Sequence, residues 1–519
     1  MWPRDGPRGK AYARMTEAFD YSAGAVAVGP APRVDSLAPT ARLLTDGGDA
    51  RIALDVATDR NKYGCAATPE GDLSDFGSST ASSISLRGFA AAEALRERLA
   101  ALEGRERRAI TYGRELERMR AELALLCGLD GMAGLDIVFA ASGTDLHLLA
   151  SALVGGTPER PLVCIDVEAE ETGSGVPDAL AGRHFSSHTA LGETVSSGVG
   201  LGAHGEFVAV PSRDESGALR HAADIEEELD ALVLDAAMSG QRALLTVTDV
   251  SKTGLISPGL DVVLALTRRF PKTLEVLVDA CQFRLAPETL RAYLAQGFMV
   301  AVTGSKFLTG PTFSGALFVP DAVGARLKTR LLPPGLRAYS ARAEWPASWI
   351  AGAGMAEAAN YGLLLRWEAA LAELRAFRAL PPAQVKGFMD EFAAAVHARL
   401  VDDPAFIPLP TRRLNRAAIG AAGGWDRTAS IFPFLLRKPG LRYLSLAETE
   451  AVYRSLAAEG ARLGQPVRCG ARDGAPVSAL RLCNSARVIV EALSEGGDPA
   501  AVIDKALGVL DRVSAAVSA

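Results

Sequence analysis

Lys306 stands in MVAVTGSKFLTGP (299–311), where an apolar, β-branched run turns through Thr303, Gly304 and Ser305. Upstream by 27 residues, Asp279 closes a second such run within LEVLVDACQ (274–282). A lysine amine held in a dry pocket has lowered basicity and condenses with an aldehyde to a Schiff base, and a buried carboxylate keeps a ring nitrogen protonated. Taken singly, a lysine reads as a solvated surface residue and an aspartate after a strand as a helix cap. Placed at the ends of two apolar runs, the pair reads as a site. AASGTDLHLLAS (140–151) adds an anion cradle, since Ser142, Gly143 and Thr144 open a helix whose first amides face outward and Gly143 lets a phosphate approach the main chain. Alone, that turn would be a simple cap.

Two further segments carry chemistry. In TDVSKTGLISPG (248–259), Asp249, Ser251 and Lys252 follow a strand and either line a site or form a polar turn ending at Pro258 and Gly259. In SALRLCNSAR (478–487), Arg481 offers a planar guanidinium that pairs with a carboxylate through two parallel hydrogen bonds.

These motifs and their order resemble the fold type I enzymes dependent on pyridoxal 5'-phosphate (PLP), in particular the class V aminotransferase and cysteine desulfurase branch. The resemblance implies that Lys306 forms the Schiff base, Asp279 partners the pyridine nitrogen and Gln282 bonds the phenolic oxygen. It assigns Ser142, Gly143 and Thr144 to the phosphate, with Thr303 and Ser305 as further hydroxyl contacts, and the substrate carboxylate to Arg481 ahead of Arg487. Lys252 ranks below Lys306 because it precedes Asp279, whereas the family order is Asp then Lys. There are departures: Ser305 stands where desulfurases often have His, and VEAEETGSGV (167–176) lacks the aromatic or His residue that stacks on the ring. Glu171 or Thr172 is left for that place, with His188 a weaker candidate. Neither Cys469 nor Cys483 reads well as a desulfurase nucleophile on a mobile loop.

The elements that must position these residues are legible as alternation. Candidate strands at 137–140, 162–167, 244–250, 274–280, 299–304 and 315–320 are separated by helical stretches, predicting an α/β fold with a mostly parallel sheet and ligands at its carboxyl ends. By resemblance this is the aspartate aminotransferase-like PLP-dependent transferase fold, with a smaller α+β C-terminal domain. The expected layout is an N-terminal arm and helices over 1–130, a large PLP-binding domain over 131–335, a linking helical segment over 336–401 and the small domain over 402–519. Residues 1 to about 50 read as an irregular arm, and 63–85 as a loop rich in Gly, Ser and Thr.

Composition bounds the function. With 519 residues, 49% apolar and 22% charged, the chain suits a large globular catalyst. A net charge of −6 argues against nucleic acid or an anionic membrane as partner. The six cysteines show no CxxC or metal-ligand spacing, so no metal is expected and a reducing cytoplasm is. No apolar stretch has signal-peptide or membrane-spanning character. The expected activity is that of an aminotransferase on a small-molecule amino acid or related amine. The alternatives are a C–S lyase, desulfurase-like enzyme or decarboxylase, and then a non-catalytic binding protein retaining the fold. A nucleotide-binding dehydrogenase fails for lack of a GxGxxG after a strand. Resemblance further implies a homodimer, with 333–345 as the segment to reach across the interface, and 74–85 is the candidate for substrate specificity.

Overall fold

Strands buried on both faces need helices on both sides, and the centre of this molecule is built that way. The computed structural model describes residues 37–518 apart from 439 and 441. The expected arm therefore lies largely outside the described residues, and from Thr40 to Leu44 the chain is already helical.

In chain order the strands are β1 (Ser74–Phe76), β2 (Asp136–Ala140), β3 (Leu162–Asp166), β4 (Gly205–Ala209), β5 (Ala243–Asp249), β6 (Ile256–Ser257), β7 (Leu274–Ala280), β8 (Met299–Thr303), β9 (Gly315–Val319), β10 (Phe406–Pro408), β11 (Ile431–Leu436), β12 (Ala461–Arg472) and β13 (Ala475–Cys483). The larger sheet has eight strands in the order β2-β9-β8-β7-β5-β3-β4, with β6 against β5. Only β9 runs against its neighbours along that path. Every residue of β5, β7 and β8 is buried, which is why each reads as an unbroken apolar run rather than an alternation. Register sets Asp279 between Thr248 and Ala301, at the carboxyl ends of three adjacent strands.

The second sheet has the order β1-β12-β13-β11-β10. Its edge strand β1 lies in the 63–85 segment expected to be a loop, and it pairs in parallel with β12, Ser74 opposite Ala461. Three residues beginning Ser-Asp give no periodicity to read. Strand β12 was equally hidden, because its register shifts between Gly464 and Val467 and again between Arg468 and Ala471, and such bulges break alternation.

The linking helical segment expected over 336–401 holds two long helices, Tyr361–Arg378 and Pro382–Asp402, parted at the Pro381–Pro382 step. The first begins late because Asn360 caps it, its side-chain oxygen accepting the Leu363 amide at 3.0 Å. The 333–345 segment folds into the short turns Pro334–Ala338 and Arg342–Glu344, with Tyr339 and Trp345 buried.

Candidate active site

Strand ends and loops from both sheets close around a cavity of about 350 Å³, within the range of small-ligand sites. Ser142, Gly143, Thr144, Asp279, Thr303, Ser305, Lys306 and Arg481 all line it, as do Lys252 and Thr172. Residues named from separate stretches of sequence thus meet in one place.

Asp279 closes β7 and is 6% exposed. Its Oδ2 lies 3.3 Å from Nε2 of His147, and its Oδ1 accepts the Cys281 amide at 3.0 Å. Burial works against the carboxylate, but His147 and then Lys306 outweigh it and hold the group well below the usual carboxylate range. His147 stands on the helix Gly143–Val154 and donates Nδ1–H to the Gly143 carbonyl at 2.8 Å, one turn back. Burial disfavours its charge, yet Asp279 raises its pKa above the ordinary histidine value. The result is a carboxylate fixed in the ionised state by a partner behind it.

Lys306 follows β8 in a tight turn and is half-buried. The backbone is left-handed at Phe283 (φ 53°), Thr309 (φ 57°) and Phe313 (φ 77°), non-glycine positions in the two turns that carry Asp279 and Lys306. Conformations of this kind cost free energy and persist where surrounding structure enforces them, which is common at sites.

The cradle is a helix start. Ser142 caps the helix by accepting the Asp145 amide, and the amides of the first turn have no partner within the helix. A Cβ added to Gly143 would lie 2.9 Å from the Cys281 sulfur and 3.3 Å from Thr303 Cγ2, so only glycine leaves this wall open. Arg51 reaches the same place, donating to Thr144 Oγ1 at 3.1 Å and Ser142 Oγ at 3.3 Å. Its guanidinium lies 4.7 Å from the Phe313 ring centroid and pairs with Asp49 at 2.6 Å. Asp145, hydrogen-bonded by Ser142, is pushed up to about 7 by burial and by Asp49.

On the opposite wall Arg481 is 1% exposed and donates to Thr80 Oγ1 at 2.9 Å, to the Gln465 carbonyl and to the Lys252 carbonyl at 3.4 Å. No carboxylate pairs with it among the described residues, and its Nε has no hydrogen-bond partner. Lys252 donates only to the Ala169 carbonyl, at 3.3 Å. Burial, then Arg481 and Lys306, lower its pKa to about 7.

Several expected residues are placed elsewhere. Gln282 does not line the cavity; its side-chain amide donates to the Ser79 carbonyl at 2.9 Å. Glu171 pairs with Arg213 at 3.1 Å and accepts from Ser251 and Thr253, which takes it out of the ring-facing place. Thr172 does face the cavity, with its hydroxyl buried and unpartnered. His188 is exposed beside Ser187. Asp249 is sealed against Arg416 and Tyr293. Arg487 donates to the Ser83 and Thr309 carbonyls. All six cysteines are buried and free. Burial lifts the Cys281 thiol well above its usual range and that of Cys469 to about 11, so neither is a ready thiolate.

Sequence reasoning missed Arg51, Tyr63, Thr80 and His147, all of which line the cavity. His147 had a signal, being a histidine one turn after Gly143 in an otherwise apolar helix. Arg51 had none, since its segment is joined to the site only by the fold.

No protein-family model matches the chain, and no curated protein matches it. Solved structures do. The cystine C-S lyase C-DES in complex with its product cysteine persulfide has a TM-score of 0.52 at 15% identity, covering 84% of this chain and 97% of that one. A C-DES mutant with glycine linked covalently to its PLP cofactor gives 0.53 at 16% identity, covering 86% and 99%. The serine palmitoyltransferase of S. paucimobilis, bound to a PLP-myriocin aldimine, gives 0.48 at 12%, covering 85% and 88%. At these identities the likeness shows the fold, which is that of the PLP-dependent transferases.

Proposed function

We propose that this protein is a PLP-dependent enzyme acting on a small amino acid or related amine, with transamination as its reaction. The convergence of Asp279, Lys306 and the open helix start at Ser142–Thr144 on one cavity carries this reading. The residues fit the group: Gly143 leaves room that a Cβ would fill, Arg51 brings a cation to the same cradle, and Asp279 is held ionised where a protonated ring nitrogen needs a counter-charge. Bound there, PLP supplies an electron sink for the carbanion formed at the substrate α-carbon.

This chain's own residues do the rest. Lys306 would hold the cofactor covalently, and its amine would move the proton at the substrate α-carbon. His147 keeps Asp279 charged and fixed. Arg481 orients the substrate carboxylate, and the buried walls at Thr172, Cys281 and Thr303 limit water. The C–S lyase and decarboxylase readings use the same groups. The desulfurase form of lyase is less favoured here because no thiol among the described residues is exposed.

The test is direct. Protein purified with PLP is expected to be yellow, and borohydride reduction should fix the cofactor to the peptide containing Lys306, as read by mass spectrometry. Lys306→Ala should be colourless. A parent that stays colourless with added PLP, or a label found on Lys252, overturns the assignment. Conversion of the cofactor to its amine form with release of a keto acid marks transamination, whereas ammonia and pyruvate without a second substrate mark a lyase.

A further inference from the structure

A second cavity, of about 240 Å³, lies where the two sheets meet. Val250 and Gly254 reach it from the turn after β5, Arg284 from the turn after β7, and Arg412, Arg413 and Arg427 from the loops leading into β11. Four guanidinium groups therefore line a space with one carboxylate, that of Asp426. Asp426 is already engaged, since its Oδ2 accepts the Ala286 amide at 2.9 Å and lies 3.9 Å from a fifth arginine, Arg416.

None of the four lining arginines has a carboxylate partner among the described residues. Arg284 is 2% exposed; its guanidinium donates to neutral oxygens, among them Ser78 Oγ at 2.9 Å, Ser430 Oγ at 3.0 Å and the Asn484 carbonyl at 2.7 Å, and lies 5.3 Å from the Phe307 ring centroid. Arg412 and Arg427 each donate to one backbone carbonyl, of Arg220 and Ala422, and the Arg413 side chain has no hydrogen bond among the described residues. Arg284 alone is buried, and a buried charge without a counter-charge is costly; Arg412, Arg413 and Arg427 are exposed and concentrate positive charge at the mouth of the cavity, which an anion complements. The forked donors of arginine match phosphate oxygens best.

We propose that this second cavity binds a small, multiply charged phosphate-bearing ligand, separately from the catalytic cavity. The site is built from the two elements that also serve catalysis. Val250 and Gly254 bound it while Lys252, between them, faces the other cavity, and Arg284 follows Asp279 in the same turn.

Isothermal titration of inorganic pyrophosphate into the full chain, preincubated with PLP so that the catalytic cradle is occupied, tests this. One saturable site is expected, weakening with added salt. The double variant Arg413→Ala/Arg427→Ala changes exposed side chains only, so the fold is retained, and it should weaken binding at least tenfold. Arg51→Ala, which alters the other cradle, should leave the affinity unchanged. Absence of saturable binding, equal affinity in the double variant, or loss in Arg51→Ala alone overturns the proposal. The PLP reading is scored separately by the colour of the same samples.

Discussion

Lys252 brings an amine into the cavity lined by Lys306, and no carboxylate pairs with it among the described residues. With its pKa lowered to about 7 by burial and by Arg481 and Lys306, it is mostly charged at pH 6 and mostly neutral at pH 8. A carboxylate ligand that uses this charge should bind less well as pH rises through 7, by about tenfold between pH 6 and 8. Calorimetric titration of a dicarboxylate such as maleate checks this, and Lys252→Met should flatten the profile. An unchanged profile in the variant assigns the titration to another group. Asp145 works in the same direction at the other end of the site. Its carboxyl, raised to about 7, is neutral below that pH and negative above it, so a cofactor phosphate in the cradle should be held more weakly at pH 8.5 than at 6.5. Asp145→Asn should remove that dependence in PLP binding curves, and a retained slope would exclude Asp145 as its source.

Among the elements, the end of β5 is locked to the loop before β11. Asp249 receives Arg416 through Nη2 at 2.6 Å and Nε at 2.7 Å, and Tyr293 donates its hydroxyl to Oδ2 at 2.5 Å, all wholly buried. Removing one partner of such a pair leaves the other buried and uncompensated, at about 3–5 kcal/mol. Arg416→Ala should lose that much stability in urea unfolding, and a loss under about 1 kcal/mol would mean that the pair does not lock β5 to this loop. This lock was invisible in the sequence, where Asp249 stood next to Ser251 and Lys252 as a candidate for the site. What was legible follows from burial. β5, β7 and β8 are covered on both faces, so each wrote itself as an apolar run, with Lys252, Asp279 and Lys306 at or just past their ends. The Arg51 arm and the turn of Gln282 toward Ser79 were not legible, because each depends on contacts between distant segments rather than on local pattern.

At the scale of the whole molecule, the smaller sheet is not made by the C-terminal chain alone. β1 covers the edge of β12, and Arg462 on that strand donates to Ser83 Oγ at 2.8 Å and the Gly64 carbonyl at 2.7 Å, with Asp75 at 3.5 Å. A fragment spanning 402–518 would leave that edge open and Arg462 without its acceptors. It is expected to aggregate or to melt without a cooperative transition by circular dichroism. A sharp melt would show that β1 is dispensable.

The pairing of β1 with β12 also orders events on the ribosome. Ser74–Phe76 emerge long before Ala461–Leu463 exist, and the catalytic cavity needs walls from Arg51 and Arg481. β1 must therefore wait without its partner strand until β12 has been made. The cavity closes only after the last strands are released, so any ligand it holds is acquired by a finished chain. Products truncated before β12 lack the Arg481 wall of the cavity and leave β1 without its partner strand.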